Sequence, residues 1–457
     1  MVALATALTR NAAADVTLLE KDGWTVYTNG RIQAFFNYNN GEGFPVGVLD
    51  ANGGPVDLQG GGIERADAYV ELPEGAEPDD PGKVEELRIR TGFAGNLLGF
   101  GVRKQVFPGT TLDGYAALSS VIQSSARRSY TKNYPDLREA FAKLAGPWGS
   151  FTFGRQGTLF SRGATEITYL YAYAYALGFP GSVTEAGDPY PTAGHVGFGV
   201  MGNPTNAGFV YATPSLGGLG VTIGVFDANN VPVTNWERVR WPRAEGELAY
   251  EMQLPGLGMF KLFANGAIQK LYERDGEKDT TMIGAGYGGR VELGPVHLGL
   301  AGHYAKGSGL SFAFQPSPAI ANPLDTEHEL RTFDGYYAQL MVSAAKQLDI
   351  SAGAGISRAK RTEGDLENQV DDDMNPATPS ASDSGAPAGI DSVGHVPIKQ
   401  QLGFSAGVTI HATDNLHFAL DYFRAMFEWY PPVPSLEGST GPEQKFHFVN
   451  AGATYNW

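Results

Sequence analysis

The 457-residue chain contains no cysteine, which excludes disulfides, thiolate metal sites and a cysteine nucleophile. The absence also suits an export route in which stray thiols would be oxidised. Long apolar runs are missing too. No segment approaches the roughly 18 consecutive apolar residues of a membrane helix, so a membrane-spanning form of this chain has to be a β-barrel. Positive charge is scarce: 33 Lys and Arg against 49 Asp and Glu leave a net charge of -16. That argues against nucleic acid, a partner usually met by a basic stripe. No GxSxG, Walker or comparable motif occurs, and the eight His show no metal-site spacing, so no catalytic residue and no cofactor is expected.

Glycine and aromatic residues are plentiful, with 61 Gly, 25 Phe and 21 Tyr, as suits strands that turn sharply and place rings at an interface. The segment "FHFVNAGATYNW" (446–457) puts Val449, Ala451, Ala453, Tyr455 and Trp457 on one face and Asn450, Gly452, Thr454 and Asn456 on the other. Such alternation marks a strand between two different solvents. It recurs in "VYTNGRIQAFFNY" (26–38), "LGVTIGVF" (219–226), "IGAGYGGRVEL" (283–293) and "LGFSAGVTIHA" (402–412).

Connections alternate between short and long. Tight turns at 254–258, 293–295, 347–349 and 412–415 interleave with long polar stretches at 40–85, 161–206, 228–245, 305–331, 363–397 and 430–444. A transmembrane barrel has this asymmetry, with short periplasmic turns and long external loops. About sixteen strands can be marked, near 24–39, 86–95, 113–126, 137–145, 149–160, 207–214, 218–227, 246–254, 259–273, 281–293, 296–305, 332–346, 350–361, 398–412, 416–429 and 445–457. An even number brings both ends to one rim, so the last strand can pair with the first, and Trp457 then belongs to the periplasmic aromatic girdle. The fold class is therefore all-β, a transmembrane antiparallel barrel over residues 15–457. Residues 1–14, "MVALATALTRNAAA", read as the remnant of a signal peptide or a flexible start. The competing architecture is a soluble sandwich or propeller, in which the apolar face would point inward.

Taken in order, these segments resemble the general diffusion porins of Gram-negative outer membranes. "KDGWTVYTNGRIQAFFNY" (21–38) resembles that family's first strand, "RIRTGFAG" (88–95) its second, "AFAKLAGPWGSFTFGRQ" (140–156) the hairpin leading into the pore loop, and "FVNAGATYNW" (448–457) the closing strand and insertion signal, with Trp where the family usually has Phe. The resemblance implies a homotrimer of sixteen-stranded barrels in the bacterial outer membrane. Its partners would be outer-membrane lipid and lipopolysaccharide outside and small hydrophilic solutes inside. Each barrel would fold a loop inward, so that an arginine cluster on the wall faces acids on the loop.

Carried onto this chain, the wall cluster is Arg31, Arg88, Arg90 and Arg155. Alternation alone aims Arg31, Arg88 and Arg90 at the lumen, whereas Arg155 shares parity with Phe151 and Phe153 and needs a bulge to turn inward. Lys261 or Arg290 would complete the cluster, because "NAGFVY" (206–211) lacks a further arginine that the family pattern has there. The loop of about 161–206 offers Glu166, Glu185 and Asp188 as acids, and Tyr169, Tyr171, Tyr173 and Tyr175 at every second position. Packing against the wall and an aromatic track for sugars are both open for these rings. Asp371, Asp372 and Asp373 invite a calcium reading, set against an ordinary solvated acidic run. Tyr455 and Trp457 are the candidate assembly signal. The function expected is a passive water-filled channel whose selectivity comes from radius and lumen charge; the alternatives are a sugar- or anion-selective channel and a barrel hydrolase, the latter requiring an outward Ser and His pair.

Overall fold

The computed structural model describes residues 15–42, 70–71, 83–92, 95–120, 136–160, 162–167, 201, 205–229, 236–237, 240–273, 279–309, 329–363, 398–429 and 443–457. They form a closed antiparallel barrel of 16 strands. In chain order these are β2 (Trp24–Glu42), then β4 (Lys83–Arg90) and β5 (Asn96–Phe107) end to end as one strand, β6 (Thr110–Ser120), β7 (Asp136–Gly146), β8 (Gly149–Gly157), β9 (Thr205–Ala212), β10 (Leu219–Phe226) and β12 (Arg243–Leu254). The circuit continues through β13 (Gly258–Glu273), β14 (Asp279–Leu293), β15 (Val296–Lys306), β16 (Thr332–Ala345), β17 (Leu348–Lys360), β18 (Ile398–His411), β19 (Leu416–Trp429) and β20 (Glu443–Asn456). Three short strands join it: β1 (Val16–Lys21), β3 (Val70–Glu71) and β11 (Trp236–Glu237). β20 pairs with β2 from Arg31 opposite Asn456 to Gly41 opposite Phe446, which closes the circuit.

Burial follows strand parity in the sense opposite to a soluble domain. On β2, Ile32 and Phe36 are each 58% exposed while Gln33 and Asn37 between them are 1% exposed. The same inversion runs through β15, where Leu298 and Leu300 are exposed, and β16, where Gln339 is buried. Apolar side chains outside and amides inside are the mark of a wall with lipid on its outer face, so the sandwich and propeller are excluded.

The strand expected at 86–95 differs in its bounds. It runs from Lys83 to Phe107 with an interruption, because residues 32–34 of β2 face the longer stretch 91–96 on the neighbouring strand. The surplus is held from inside. Gly95, at φ +68°, offers its carbonyl to Arg31 Nε at 3.0 Å and to Gln33 Nε2 at 2.7 Å, while the Asn96 side chain accepts the Gln33 N–H at 2.8 Å. β1 was also unforeseen. It forms a hairpin with the start of β2 across Asp22 and Gly23, both at positive φ (53° and 77°), as a two-residue turn matched to strand twist requires.

Candidate functional site in the barrel lumen

After β8 the chain turns into the barrel. Thr158, Leu159 and Phe160 are buried, and the Glu245 carboxylate of β12 accepts the N–H groups of Leu159 (2.5 Å) and Phe160 (3.0 Å). Two backbone donors that leave a strand are thus satisfied by one wall side chain. Glu245 also pairs with buried Arg243. A short helix follows, α1 (Arg162–Ile167).

Ion pairs and one buried hydrogen bond tie α1 to the wall. Arg162 meets Glu247 of β12, with Nε at 2.9 Å, and its Nη2 reaches Thr222 Oγ1 at 3.3 Å. Glu166 pairs with Lys261 of β13, and its backbone carbonyl accepts Arg290 Nη1 of β14 at 3.2 Å. Tyr337 of β16 donates its hydroxyl to the Ala164 carbonyl at 2.8 Å. Between these polar anchors, Phe160, Ala164 and Met201 pack with Phe263, Ala267, Leu271, Met282, Ala301 and Tyr337. Arg290 continues to Glu292 at 3.1 Å, and Glu292 to His297 at 3.4 Å. Arg162, Arg243, Lys261 and Arg290 balance Glu166, Glu245, Glu247 and Glu292, so the dock is close to neutral while remaining highly polar.

Among the residues singled out in the sequence, Glu166 lies in this dock with Lys261 and Arg290. Arg31 faces inward, 8% exposed, held at the Gly95 bulge. Arg88 and Arg90 register opposite Asn37 and Phe35 of β2, alternating with the exposed Leu87 and Ile89; their side chains lie outside the described residues. The placement of Arg155 in the wall cluster is corrected. β8 stays in unbroken register with both neighbours, Arg155 opposite Ala140 and Ala207, so no bulge turns it and it keeps the outward parity of exposed Phe153. Its Nε donates to the Arg138 carbonyl at 3.2 Å.

Tyr169, Tyr171, Tyr173, Tyr175, Glu185 and Asp188 fall outside the described residues, as do Asp371, Asp372 and Asp373. Among the described residues, no three His, Asp or Glu side chains are grouped to hold a metal ion. Tyr455 and Trp457 stack with ring centroids 6.2 Å apart. The Trp457 ring covers Gly30 where a Cβ would stand, and the two residues exchange backbone hydrogen bonds of 2.9 and 3.1 Å. Arg162, Glu245, Glu247 and Tyr337 were not foreseen as site residues. The alternation "AEGEL" (244–248) carries the signal for two of them, but starting the strand at 246 instead of Arg243 left Glu245 in a loop.

The sequence profile of the Gram-negative porins matches residues 1–369, and the chain belongs to that family. The protein is a bacterial outer-membrane β-barrel, a channel for passive diffusion. Its fold is similar to that of the outer membrane channel DcaP of Acinetobacter baumannii (TM-score 0.60, 12% identity, covering 97% of this chain and 100% of that one). It is also similar to an anion-selective porin from Comamonas acidovorans (TM-score 0.57, 11% identity, 95% and 100% covered). OmpF of Salmonella typhi, solved in complex with daunomycin, is a third (TM-score 0.51, 14% identity, 96% and 99% covered). No match was found among curated proteins.

Proposed function

We propose that this porin admits small hydrophilic solutes and ions without any chemical step, through a lumen narrowed by the loop that follows β8. The observation carrying the reading is α1, seated inside the barrel and fastened to the wall by Arg162–Glu247, Glu166–Lys261 and Tyr337–Ala164. A helix held at both charged ends fixes where that loop enters the lumen, which supports a fixed aperture of the kind size-limited diffusion requires. Because the dock is nearly neutral, ion preference falls to other lumen charges: Arg31, Arg88 and Arg90 on the wall, and Glu185 and Asp188 further along the loop. The barrel assembles as a homotrimer through its early strands, whose outward faces carry Gly30, Ala34 and Phe36 and suit another barrel better than lipid. Lipid and lipopolysaccharide bathe the rest of the wall.

Single-channel conductance in planar bilayers, with reversal potential under a salt gradient, tests the channel directly. A steady ohmic conductance that no sugar or organic anion blocks is the expected outcome. Saturable block by one solute class would replace the general pore with a selective one.

A further inference from the structure

The tight turn at 412–415 brings two histidines face to face. His411 ends β18 and His417 lies at the start of β19, directly opposite it in the register. Their neighbours Ile410 and Phe418 are exposed on the outer surface, so by alternation both imidazoles face the lumen, at its periplasmic end. Directly opposite residues hold their Cβ atoms about 4.5–5.5 Å apart. Here the rings meet edge to face, with centroids 4.8 Å apart and Nδ1 at 2.8 Å from Nδ1.

The protons of this pair are fixed from one side. Asp349 of β17 meets His411 Nε2 at 2.8 Å, and its other oxygen accepts the Ser343 hydroxyl at 2.7 Å. A carboxylate only accepts, so His411 Nε2 carries the proton and Nδ1 is left with a lone pair aimed at His417. A hydrogen bond between the rings then requires the Nδ1–H tautomer of His417, whose Nε2 becomes a bare acceptor. Yet that Nε2 is buried and meets no donor. Beside His417 across the sheet stands Thr454 of β20, and beside Thr454 stands Gln33 of β2. Thr454 Oγ1 and Gln33 Oε1 are buried without partners as well, and all three residues are 1–2% exposed. Three orphaned atoms in one cross-strand row demand a cause.

The other tautomer removes the deficit. With the proton on His417 Nε2, the row reads donor, hydroxyl, acceptor: Nε2–H turns to Thr454 Oγ1 and the Thr454 hydroxyl to Gln33 Oε1. The Gln33 amide nitrogen is already engaged, donating to the Gly95 carbonyl at 2.7 Å. Both Nδ1 atoms then present lone pairs to each other, an arrangement that repels unless a cation joins them. Ligand nitrogens about 2.0–2.1 Å from a metal stand about 2.9 Å apart at a right angle and about 3.3 Å apart at the tetrahedral angle. The observed 2.8 Å therefore has to open by no more than about half an ångström.

We propose that His411 and His417 chelate a late first-row transition-metal dication, Cu2+ or Zn2+, at the periplasmic mouth of the lumen, with water completing its coordination. Imidazole nitrogen decides the class, since Mg2+ and Ca2+ take oxygen ligands. Each ring is oriented through its outer nitrogen, His411 by Asp349 and His417 by Thr454, as metal-bound imidazoles generally are. Two protein ligands, one of them a ring 23% exposed, leave the ion exchangeable with the lumen. It is a modulator of the charge at that mouth rather than a resident cofactor.

Isothermal titration calorimetry of the chelator-stripped, full-length porin in mild detergent tests the site. ZnCl2 and CuCl2 are each expected to fill one such site per chain, Cu2+ the more tightly, with no competition from MgCl2. His411→Gln and His417→Gln should each lose it, and Asp349→Asn should weaken it about tenfold or more. Cu2+ on the parent should show the electron paramagnetic resonance of two nitrogen ligands. No binding by the parent, or an unchanged Zn2+ affinity in either histidine variant, makes the pair a structural hydrogen bond only and overturns the proposal. Equal competition by Mg2+ overturns it too, because the ligands would then be oxygens, and so does an unchanged affinity in Asp349→Asn, because the carboxylate would then not orient His411. If His417→Gln fails to fold, the more open His411→Gln and the nitrogen count in the parent spectrum decide.

Discussion

A carboxylate held between two cations adds little net field, and Glu166 is in that position. Neutralising it as Glu166→Gln should therefore shift the reversal potential little. Under the function proposed above, Arg31→Gln with Arg90→Gln should move it further, towards cations, and Glu185→Gln with Asp188→Gln towards anions. Both shifts should shrink in high salt, where the Debye length falls from about 8 Å to about 3 Å at 1 M. If both double variants stay folded and unshifted, selectivity lies elsewhere. The anchors make a second prediction. Tyr337→Phe removes one hydrogen bond worth about 1 kcal/mol, whereas Glu247→Gln takes the nearest carboxylate from a nearly buried guanidinium and leaves it Glu166 at 3.9 Å, a larger loss because a buried charge is then incompletely compensated. Open-channel current noise should rise more in Glu247→Gln, and equal noise would mean that the ion pair does not hold the loop. At this scale, parity was the legible part of the sequence. It placed Arg31 inward and Arg155 outward, and the error came from letting resemblance override it. Side chains that meet across the lumen, such as Arg162 and Glu247, share no local pattern, because their contact depends on a loop folding back over 85 residues.

Strands were legible because each separates water from lipid and must alternate. Interruptions of alternation were not. Gly95 is held by inward hydrogen bonds from Arg31 and Gln33, which belong to another strand, so nothing local announces it. The Asp22–Gly23 turn, by contrast, carried a readable signal in its own dipeptide. The seating of Trp457 on Gly30 belongs to the element scale as well. We predict that Trp457→Ala lowers outer-membrane abundance more than single-channel conductance, and that Gly30→Leu reproduces the defect by occupying the ring's place. Quantitative immunoblotting of outer-membrane fractions reads it; abundance equal to the parent in both variants would remove any assembly role from this contact.

Closure, strand number and the sidedness of the loops were all present in the sequence, since they follow from counting alternating segments and the lengths between them. What surrounds the barrel was less legible, because outward residues look alike whether they meet lipid or protein. The trimer prediction addresses this: native mass spectrometry in several mild detergents should give three chains per particle, and a monomer in all of them would count against it.

The small hairpin at the start of the barrel bears on how the ring finds its register. β1 occupies the edge of β2 from Thr28, opposite Val16, down to Trp24, and Trp457 ends opposite Gly30, the next position of that parity. The turn joining β1 to β2 is local and quick to form, whereas bringing β20 to β2 closes a loop of more than 400 residues, at an entropic cost of about 5 kcal/mol. The edge that β20 eventually finds is therefore already shortened. A slip of two residues downward would drive Trp457 into Val16, so the pairing most distant in sequence is indexed by the one nearest to it, and β1 acts as a mechanical stop for the shear of the whole barrel.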